Sequence, residues 1–261
     1  MSNKVVVITG ASSGIGAVLA KKLGERGDKM VLAARREEAL NEVAASCGSE
    51  ALTVVTDVTR RVDVERLKEV ALAKFGGIDV WINNVGRGIT KPVLELSDDD
   101  FDQIIDVNLK SALYGMQAII PYFQKQGKGH LINVSSFLSR VPLATLRSIY
   151  SASKAALNSL TANLRMDLQA QYPGIHVSLV MPGMVLTEFH ENVLGSRPQT
   201  RPGNIANPQN AQTAEQVATA IAELIDHPRP EIYTNPAMAG IATKYIEDVA
   251  AFEATLFRSA K

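Results

Sequence analysis

Short apolar runs recur at regular intervals along this chain. They are rich in Val and Ile, do not alternate with polar residues, and lie at residues 5–8, 30–34, 51–56, 78–83, 130–135 and 176–181. Uninterrupted runs of this length indicate strands that are buried on both faces, as in a parallel sheet. The pattern therefore predicts a parallel sheet at the centre of a layered fold.

Helical patterns separate these strands, at residues 14–26, 37–46, 62–75, a pair within 97–126, and 150–171. Alternating strands and helices require right-handed crossovers, which place helices on both faces of the sheet. We therefore predict an α/β fold with a doubly wound parallel sheet, formed by one domain over residues 1–261.

The alternation ends after Gly183. Residues 188–212 contain three prolines and have no helical or strand period, so we predict a variable loop at the substrate site. A helix follows at 213–226, with Thr213 as N-cap and Gln216 completing a capping box. A short strand at 231–234 and one amphipathic helix at about 240–257 are predicted after it.

Composition and charge narrow the possible partners. Apolar residues make up 46% of the chain, and 27 basic side chains balance 27 acidic ones without a basic block, so we expect neither nucleic acid nor a membrane as partner. No apolar stretch approaches the ~20 residues of a membrane span. The chain leads directly into a strand, so no signal peptide is expected, and the single cysteine, Cys47, fits a reducing compartment. These features predict a cytoplasmic protein.

The histidines do not form a metal-binding pattern. His130 and His176 open strands, His227 follows a helix, and His190 lies in the predicted loop. Without an H-x-x-x-H pair or a Cys/His cluster, no catalytic metal is predicted.

A glycine-rich turn joins the first strand to the first helix. Gly10, Gly14 and Gly16 let the backbone turn tightly and approach a pyrophosphate, and the helix N-terminus offers free N–H groups. The spacing is G-x-x-x-G-x-G rather than the commoner G-x-G-x-x-G. A glycine turn without a ligand is the alternative, but its place between a strand and a helix favours a dinucleotide site.

Tyr150 and Lys154 lie four residues apart in a predicted helix, so they share one helix face. A phenol has an ordinary pKa of about 10, and an adjacent ammonium group lowers that pKa towards neutrality. The pair is therefore suited to proton transfer. Such pairs are usually solvated surface, and the upstream dinucleotide site is what favours the catalytic interpretation.

Several segments, in order, resemble the short-chain dehydrogenase/reductase family. They are TGASSGIG from Thr9, Asp57 in TDVT, NNVG at 83–86, Asn108 in VNL, Ser136 in INVSS, YSASK at 150–154, and Pro182-Gly183 with Thr187. The resemblance covers Thr9 to Thr187 and implies a Rossmann fold and hydride transfer between a nicotinamide dinucleotide and a carbonyl or secondary alcohol.

Two positions depart from the family pattern. Val85 replaces the usual Ala of N-N-A-G, which would narrow the floor of the site. The interval from Ser136 to Tyr150 is one residue longer than usual, so Ser135 stays open as an alternative to the preferred Ser136.

The resemblance also implies the cofactor-binding residues. Asp57 would contact the adenine, Asn84 would face the crossing from adenosine to nicotinamide, and Val185 and Thr187 would bind the carboxamide. The full implied set is Gly10, Ser12, Ser13, Gly14, Ile15, Gly16, Arg35, Arg36, Asp57, Val58, Asn84, Gly86, Tyr150, Lys154, Pro182, Gly183, Val185 and Thr187.

The end of the second strand predicts the choice of cofactor. Ala34 stands where the NAD-using members of the family carry Asp, and Arg35 and Arg36 follow it. Arg35 can pair with a 2′-phosphate, and Ser12 can add a hydroxyl donor. The alternative is that both arginines merely begin a helix, but the helix dipole disfavours cations there. We therefore predict NADP(H).

Four catalytic residues follow from the resemblance. Ser136 and Tyr150 would hydrogen-bond the substrate oxygen, and Tyr150 would transfer the proton. Lys154 would lower the pKa of Tyr150 and hold the nicotinamide ribose, and Asn108 would position a water that links Lys154 to solvent.

The substrate is expected to be a mostly apolar ketone or aldehyde, because the expected walls are mostly apolar. They comprise Phe137, Leu138, Val141, Pro142, Leu143, Leu146, Phe189, His190, Val193 and Leu194. Arg87, Arg140 and Arg147 could instead recognise an anion, but we give this less weight because surface arginines are usually solvated.

Other functions on this fold remain as alternatives. A non-catalytic nucleotide-binding or sensing relative generally lacks the Tyr or the Lys, and a dehydratase or epimerase usually carries other catalytic groups. The resemblance further implies a homo-oligomer, a tetramer or a dimer, that packs through the helices within 110–126 and 150–171.

Overall fold

The computed structural model describes residues 3–48, 50–187, 189, 193–195 and 211–258. In chain order its strands and α-helices are β1 (Val5–Thr9), α1 (Gly14–Glu25), β2 (Lys29–Ala34), α2 (Glu37–Ala45), β3 (Ala51–Val55), α3 (Arg61–Phe75), β4 (Val80–Asn83), α4 (Asp98–Ile105), α5 (Ser111–Gln126), β5 (Gly129–Val134), α6 (Ser148–Gln169), β6 (Ile175–Met181), β7 (Val185–Leu186), β8 (Gln212–Thr213), α7 (Ala214–Asp226), β9 (Glu231–Tyr233), α8 (Ala237–Glu247) and α9 (Val249–Arg258).

Seven parallel strands form the main sheet, in the order β3-β2-β1-β4-β5-β6-β9. The order reverses between β1 and β4, the topological switch point outside which open α/β sheets bind ligands. The predicted doubly wound parallel sheet is confirmed.

Helices cover both faces of this sheet. Val6 and Ile8 of β1 belong to a core with α1, α2 and α7, whereas Val5 and Val7 belong to a second core with α3, α5 and α6. Alternate residues of one strand thus enter opposite cores, and so the strands are apolar without interruption.

The predicted helix pair within 97–126 forms one continuous path. A π-helical segment, Asp106–Lys110, joins α4 to α5, and the residues on both sides of it have helical dihedral angles. The segment brings Asn108 to a buried position. Single π-turns of this kind are frequent at functional sites.

The prediction of one C-terminal helix is wrong. Asp248 is extended, with φ −153° and ψ 93°, and it separates α8 from α9. Its carboxylate accepts a hydrogen bond of 2.9 Å from the backbone N–H of Ala251, so it caps the second helix.

The predicted loop at 188–212 lies mostly outside the described residues, and His190 is among those not described. The segments that border this loop pair as parallel strands β7 and β8, which the sequence pattern missed. Thr213 caps α7 through the predicted capping box with Gln216. No helix of the described residues is long and apolar enough to cross a bilayer.

Candidate active site

The glycine-rich turn lies at the switch point of the sheet. Gly10 and Gly14 have φ of 68° and 55°, in the left-handed region that favours glycine. A Cβ on Gly16 would lie 2.3 Å from the carbonyl oxygen of Gly10. The turn therefore depends on these glycines. Ser13 is the N-cap of α1 with no side-chain capping bond, and Ile15 packs partly buried against the core.

Asn84, directly after β4, ties the turn to the neighbouring strand. Its amide nitrogen donates to the carbonyl oxygens of Thr9 and Gly10 at 3.1 and 3.2 Å. Its backbone N–H donates to the Thr9 hydroxyl at 3.1 Å. A Cβ on Gly10 would lie 3.2 Å from Val85 Cγ2, so Val85 packs against the turn.

The two arginines after β2 face different groups. Arg36 Nη2 lies 3.4 Å from Ser12 Oγ, whereas the guanidinium of Arg35 acts on the carboxylate of Asp57. Ala34, at the end of β2, is buried. Ser12, Arg35 and Arg36 thus lie together at the carboxyl ends of β1 and β2. Arg36, rather than Arg35, lies beside the serine.

Asp57 is held in its place by local hydrogen bonds. Its carboxylate accepts bonds of 3.0 and 2.7 Å from the N–H and hydroxyl of Thr59. Partial burial acts to raise the pKa of Asp57, but these bonds and the charges of Arg35 and Arg60 outweigh it, so that the pKa lies below its ordinary value. Val58, next in the chain, is buried.

The side chain of Asn108 makes three hydrogen bonds to its neighbours. Its amide nitrogen donates to Arg87 O at 3.0 Å and to Ser153 Oγ at 3.1 Å, and its Oδ1 accepts from Arg87 N at 2.7 Å. A Cβ on Gly86 would lie 3.4 Å from Lys154 Nζ and 3.7 Å from Asn108 Oδ1. Gly86 therefore lies between Asn108 and Lys154.

Tyr150 and Lys154 both face inward from α6. Lys154 is 3% exposed, and its ammonium group donates to Val134 O at 2.8 Å. Burial lowers the pKa of Lys154 to about 8. The lysine therefore reaches the end of β5 as a buried cation with a carbonyl, not a carboxylate, as its bonded partner.

The expectation that Lys154 lowers the pKa of Tyr150 is not met. Burial raises the pKa of Tyr150 above its ordinary value, and the opposing influences are a hydrogen bond with Ser136 and the charge of Arg147. The cation that acts on the phenol is thus Arg147, because the ammonium of Lys154 is directed to the carbonyl of Val134.

The two adjacent serines after β5 face different ways. Ser135 Oγ donates to Asn158 Oδ1 at 2.6 Å and approaches Lys154 O at 3.3 Å, so it fastens β5 to α6. Ser136 Oγ accepts from Leu138 N at 3.2 Å, and Ser136 acts to lower the pKa of the Tyr150 phenol. Only Ser136 of this pair lies beside the phenol.

The segment after β6 borders the same region. Pro182 O accepts from Phe137 N at 2.8 Å, and a Cβ on Gly183 would lie 3.2 Å from Met238 Cε. Val185 is buried in β7, and Thr187 Cβ lies 3.5 Å from where a Cβ on Gly14 would stand. Thr187 therefore faces the glycine turn.

One wall of the site is an apolar cluster that includes residues of the C-terminal helices. Predicted members Phe137, Val141 and Leu143 pack there with Tyr233, Met238, Ile241, Tyr245 and Phe252. The aromatic and aliphatic residues after position 230 were missed, because only their amphipathic spacing marks them in the sequence. Leu138, Phe189 and Leu194 pack in another cluster with Tyr150.

The three arginines considered for anion binding differ in their surroundings. Arg140 Nη2 forms an ion pair of 2.6 Å with Glu231, and Arg87 Nη1 lies 3.4 Å from Gln103 Oε1. Arg147 is half-buried and its Nη1 donates to Ile89 O at 3.2 Å. Within the described residues, no group of three His, Cys, Asp or Glu side chains could hold a metal ion.

The carboxyl ends of β1, β4, β5 and β6 thus bring together a glycine turn, a Ser–Tyr pair, a buried ammonium and Asn108. Such a site can hold a nucleotide at a helix N-terminus and exchange a proton with a bound oxygen.

Comparison with known proteins gives consistent results. A sequence model described as "short chain dehydrogenase" matches residues 4–197. An uncharacterized oxidoreductase of Staphylococcus epidermidis is 36% identical over 208 residues, which cover 79% of this chain and 89% of that protein.

Solved structures resemble the chain over most of its length. A short chain dehydrogenase/reductase from Burkholderia phymatum, in complex with NAD, superposes with a TM-score of 0.85 and 31% identity, covering 95% of this chain and 94% of that one. An alcohol dehydrogenase from the archaeon Thermococcus sibiricus, complexed with 5-hydroxy-NADP, gives a TM-score of 0.75 and 27% identity, covering 89% and 96%.

Proposed function

The chain belongs to the short-chain dehydrogenase/reductase family of NAD(P)-dependent oxidoreductases, and from this premise we propose that it is an NADP(H)-dependent carbonyl reductase or alcohol dehydrogenase. Its carbonyl substrate is a ketone or aldehyde with a mostly apolar body. The observation that carries the proposal is the burial of Tyr150 and Lys154 on α6, with Ser136 acting on the Tyr150 phenol.

Two observations support a dinucleotide in this site. Gly10, Gly14 and Gly16 keep the turn free of side chains at the N-terminus of α1, where phosphate oxygens are bound by backbone N–H groups. Asn84 fixes the position of the turn relative to β4.

The 2′-phosphate of NADP(H) suits the end of β2. Ala34 supplies no carboxylate there, and Ser12 lies beside the guanidinium of Arg36 with Arg35 next to it. Guanidinium groups pair with phosphate oxygens through two parallel hydrogen bonds. One structural relative binds NAD and another a derivative of NADP, so this preference depends on the arginines of this chain.

The chemistry divides between the cofactor and this chain. NADP(H), when bound, supplies the hydride to the carbonyl carbon or accepts it in the reverse direction. Ser136 and Tyr150 hold the substrate oxygen by hydrogen bonds and stabilise the charge that grows on it. Tyr150 then gives its hydroxyl proton to that oxygen.

The remaining groups support Tyr150. Lys154 holds positive charge near the end of β5 and binds the nicotinamide ribose, and Asn108 positions the water through which Lys154 exchanges protons with solvent. Because the pKa of Tyr150 lies above its ordinary value, the phenol is protonated at neutral pH. This is the form that gives a proton to a carbonyl oxygen.

A non-catalytic nucleotide sensor is the main alternative, with a dehydratase or epimerase on the same fold after it. A sensor has no need to bury an ammonium at energetic cost, whereas Lys154 is buried with a lowered pKa. No second acid–base pair in the described part of the site favours a dehydratase or an epimerase.

We also propose a homo-oligomer, a dimer or tetramer, in which α6 packs against its symmetry mate. The outer side of α6 exposes small residues and one large apolar residue: Ala152, Ala155, Ser159, Asn163 and Met166. Small side chains permit close helix contacts, and Met166 is an exposed apolar residue on this side.

The test is NADPH oxidation against a panel of ketones and aldehydes, with NADH in parallel and Tyr150→Phe as the control. We expect turnover of apolar carbonyls with NADPH, and a loss of about 10²- to 10⁴-fold in Tyr150→Phe with NADPH binding retained. A variant that keeps most of its activity would remove Tyr150 from the mechanism, and the absence of any turnover would favour the sensor.

A further inference from the structure

Arg147 is a half-buried cation without a carboxylate partner among the described residues. It is the N-cap residue of α6, and its Nη1 donates to Ile89 O at 3.2 Å. By contrast, Arg140 on the same connection is paired with Glu231, and Arg26 is paired with Asp28 and Asp226. A guanidinium has five N–H donors, and within the described residues one bond from the Arg147 guanidinium, to Ile89 O, is seen.

The position of Arg147 is electrostatically unfavourable. Burial lowers the pKa of Arg147, with only the Tyr150 side chain acting against it. The N-terminus of a helix already carries partial positive charge, and the first turn of α6 has no acidic residue. No carboxylate of the described residues pairs with this guanidinium, so a bound anion would stabilise it.

The space around this guanidinium belongs to the reacting end of the site. A Cβ on Gly88 would lie 2.6 Å from Arg147 Nη1, 2.8 Å from Val193 Cγ1 and 3.1 Å from Phe189 Cε1. The ring of Phe189 lies 5.7 Å from the ring of Tyr150. The glycine therefore makes room for a cation that borders the same small region as the proton donor.

We propose that Arg147 binds a carboxylate carried by the substrate, so that the physiological carbonyl compound is an oxo acid whose carboxylate lies close to the reacting carbonyl. This inference rests on the proposed reductase function and specifies its substrate class. The apolar walls hold the body of the substrate, and the guanidinium holds its charged end by charge-assisted hydrogen bonds.

A role for Arg147 limited to the electrostatics of Tyr150 would have different consequences. Loss of such an influence would change the reduction of charged and neutral ketones alike, because both use the same proton. A carboxylate-binding residue affects only substrates that carry the charge. The two roles are therefore separated by a matched pair of substrates.

The experiment compares an oxo acid with its methyl ester in the wild type, in Arg147→Met and in Arg140→Met. We expect the wild type to prefer the acid in kcat/KM and Arg140→Met to keep that preference. Arg147→Met changes both substrates through the lost charge near Tyr150, and we expect it to lose a further factor of about 10 to 100 on the acid alone. Arg147→Gln, which can still donate to Ile89 O, guards against a folding defect and has to lose the same preference. A wild type without acid preference, or equal losses on acid and ester, overturns the inference.

A binding measurement separates this inference from the proposed activity. Phenylacetate and phenylacetamide are titrated by calorimetry into the NADP⁺-saturated wild type and Arg147→Gln. Binding of the carboxylate alone, lost in the variant, supports the site even if no carbonyl is reduced, in which case only the reductase proposal fails. If neutral ketones are reduced but phenylacetate and phenylacetamide bind equally, the carboxylate-site proposal is wrong and the reductase proposal stands.

Discussion

Replacing Lys154 with Met is expected to stabilise the protein at neutral pH while it removes activity. Lys154 is buried, and its pKa falls from 10.5 to about 8. In the unfolded chain the ammonium is solvated, so the folded state disfavours its charge. The variant keeps the length of the side chain and removes that unfavourable charge.

The size of the effect follows from the pKa shift. A lowering from 10.5 to about 8 corresponds to ~3 kcal/mol of unfavourable free energy, which is fully present below the folded pKa. The variant loses the bond to Val134 O, at a cost of ~1–2 kcal/mol. At neutral pH we therefore expect the free energy of unfolding to rise by ~1–2 kcal/mol in Lys154→Met.

The pH dependence has a definite sign. Between the two pKa values the unfolded chain binds a proton that the folded chain has lost, so wild-type stability rises with pH in this window relative to the variant. From pH 7 to about pH 9.5 the difference should move by about 2 kcal/mol in favour of the wild type.

Urea denaturation of the cofactor-free protein at both pH values measures this shift. Lys125→Met serves as control, because it removes an exposed ammonium at the end of α5. The assignment of a buried, destabilised ammonium would be refuted in two cases. In the first, the difference in free energy of unfolding between the wild type and Lys154→Met does not change with pH. In the second, it changes as it does for the control.

Three further perturbations test other parts of the structure. Arg36→Ala and Arg35→Ala should each weaken NADPH binding by about 10- to 100-fold while NADH binding changes little; equal losses for both cofactors would contradict the 2′-phosphate assignment. Burial, with the charges of His176 and Lys4, lowers the pKa of His130 from 6.5 to about 3. The free energy of unfolding therefore falls as the pH drops below the pKa of this histidine in the unfolded chain. Between pH 7 and pH 5, His130→Gln should lose ~2 kcal/mol less of that free energy than the wild type in urea titrations. An equal loss in both proteins would exclude a buried neutral histidine. Ala162 is half-buried on α6. Ala162→Arg should dissociate the assembly, as measured by light scattering, and lower the free energy of unfolding. A monomeric wild type would end the oligomer proposal.

The sheet could be predicted because burial on both faces leaves a direct mark on sequence. Alternate residues of β1 enter opposite cores, so every position must be apolar and the run is easily seen. The positions of the glycines were equally readable, since Gly16 has no room for a Cβ. Tyr150 and Lys154 were placed on the same helix face by spacing alone.

Other features depend on contacts that sequence patterns do not encode. The break at Asp248 lies within an otherwise continuous amphipathic pattern, and only its capping bond to Ala251 reveals it. The influence on Tyr150 was assigned to Lys154 from their spacing, yet the ammonium donates to Val134 O and the charge that acts on the phenol is that of Arg147. Spacing fixes which residues share a face, but not which acceptor a long side chain reaches.

The pairing of charges describes the site without reference to any motif. Several lysines elsewhere lie against carboxylates, as Lys4 does with Asp226 and Lys68 with Glu65. At the carboxyl ends of β4 and β5, Lys154 and Arg147 are buried or half-buried cations whose bonded partners are backbone carbonyls. A fold gains no stability from such positions, and perturbed ionisable groups gather where a ligand or a reaction supplies the compensation. The hydride-transfer proposal accounts for the burial of Lys154, because this residue would bind the nicotinamide ribose. A substrate carboxylate would account for the half-burial of Arg147, because it would supply the negative charge that pairs with the guanidinium.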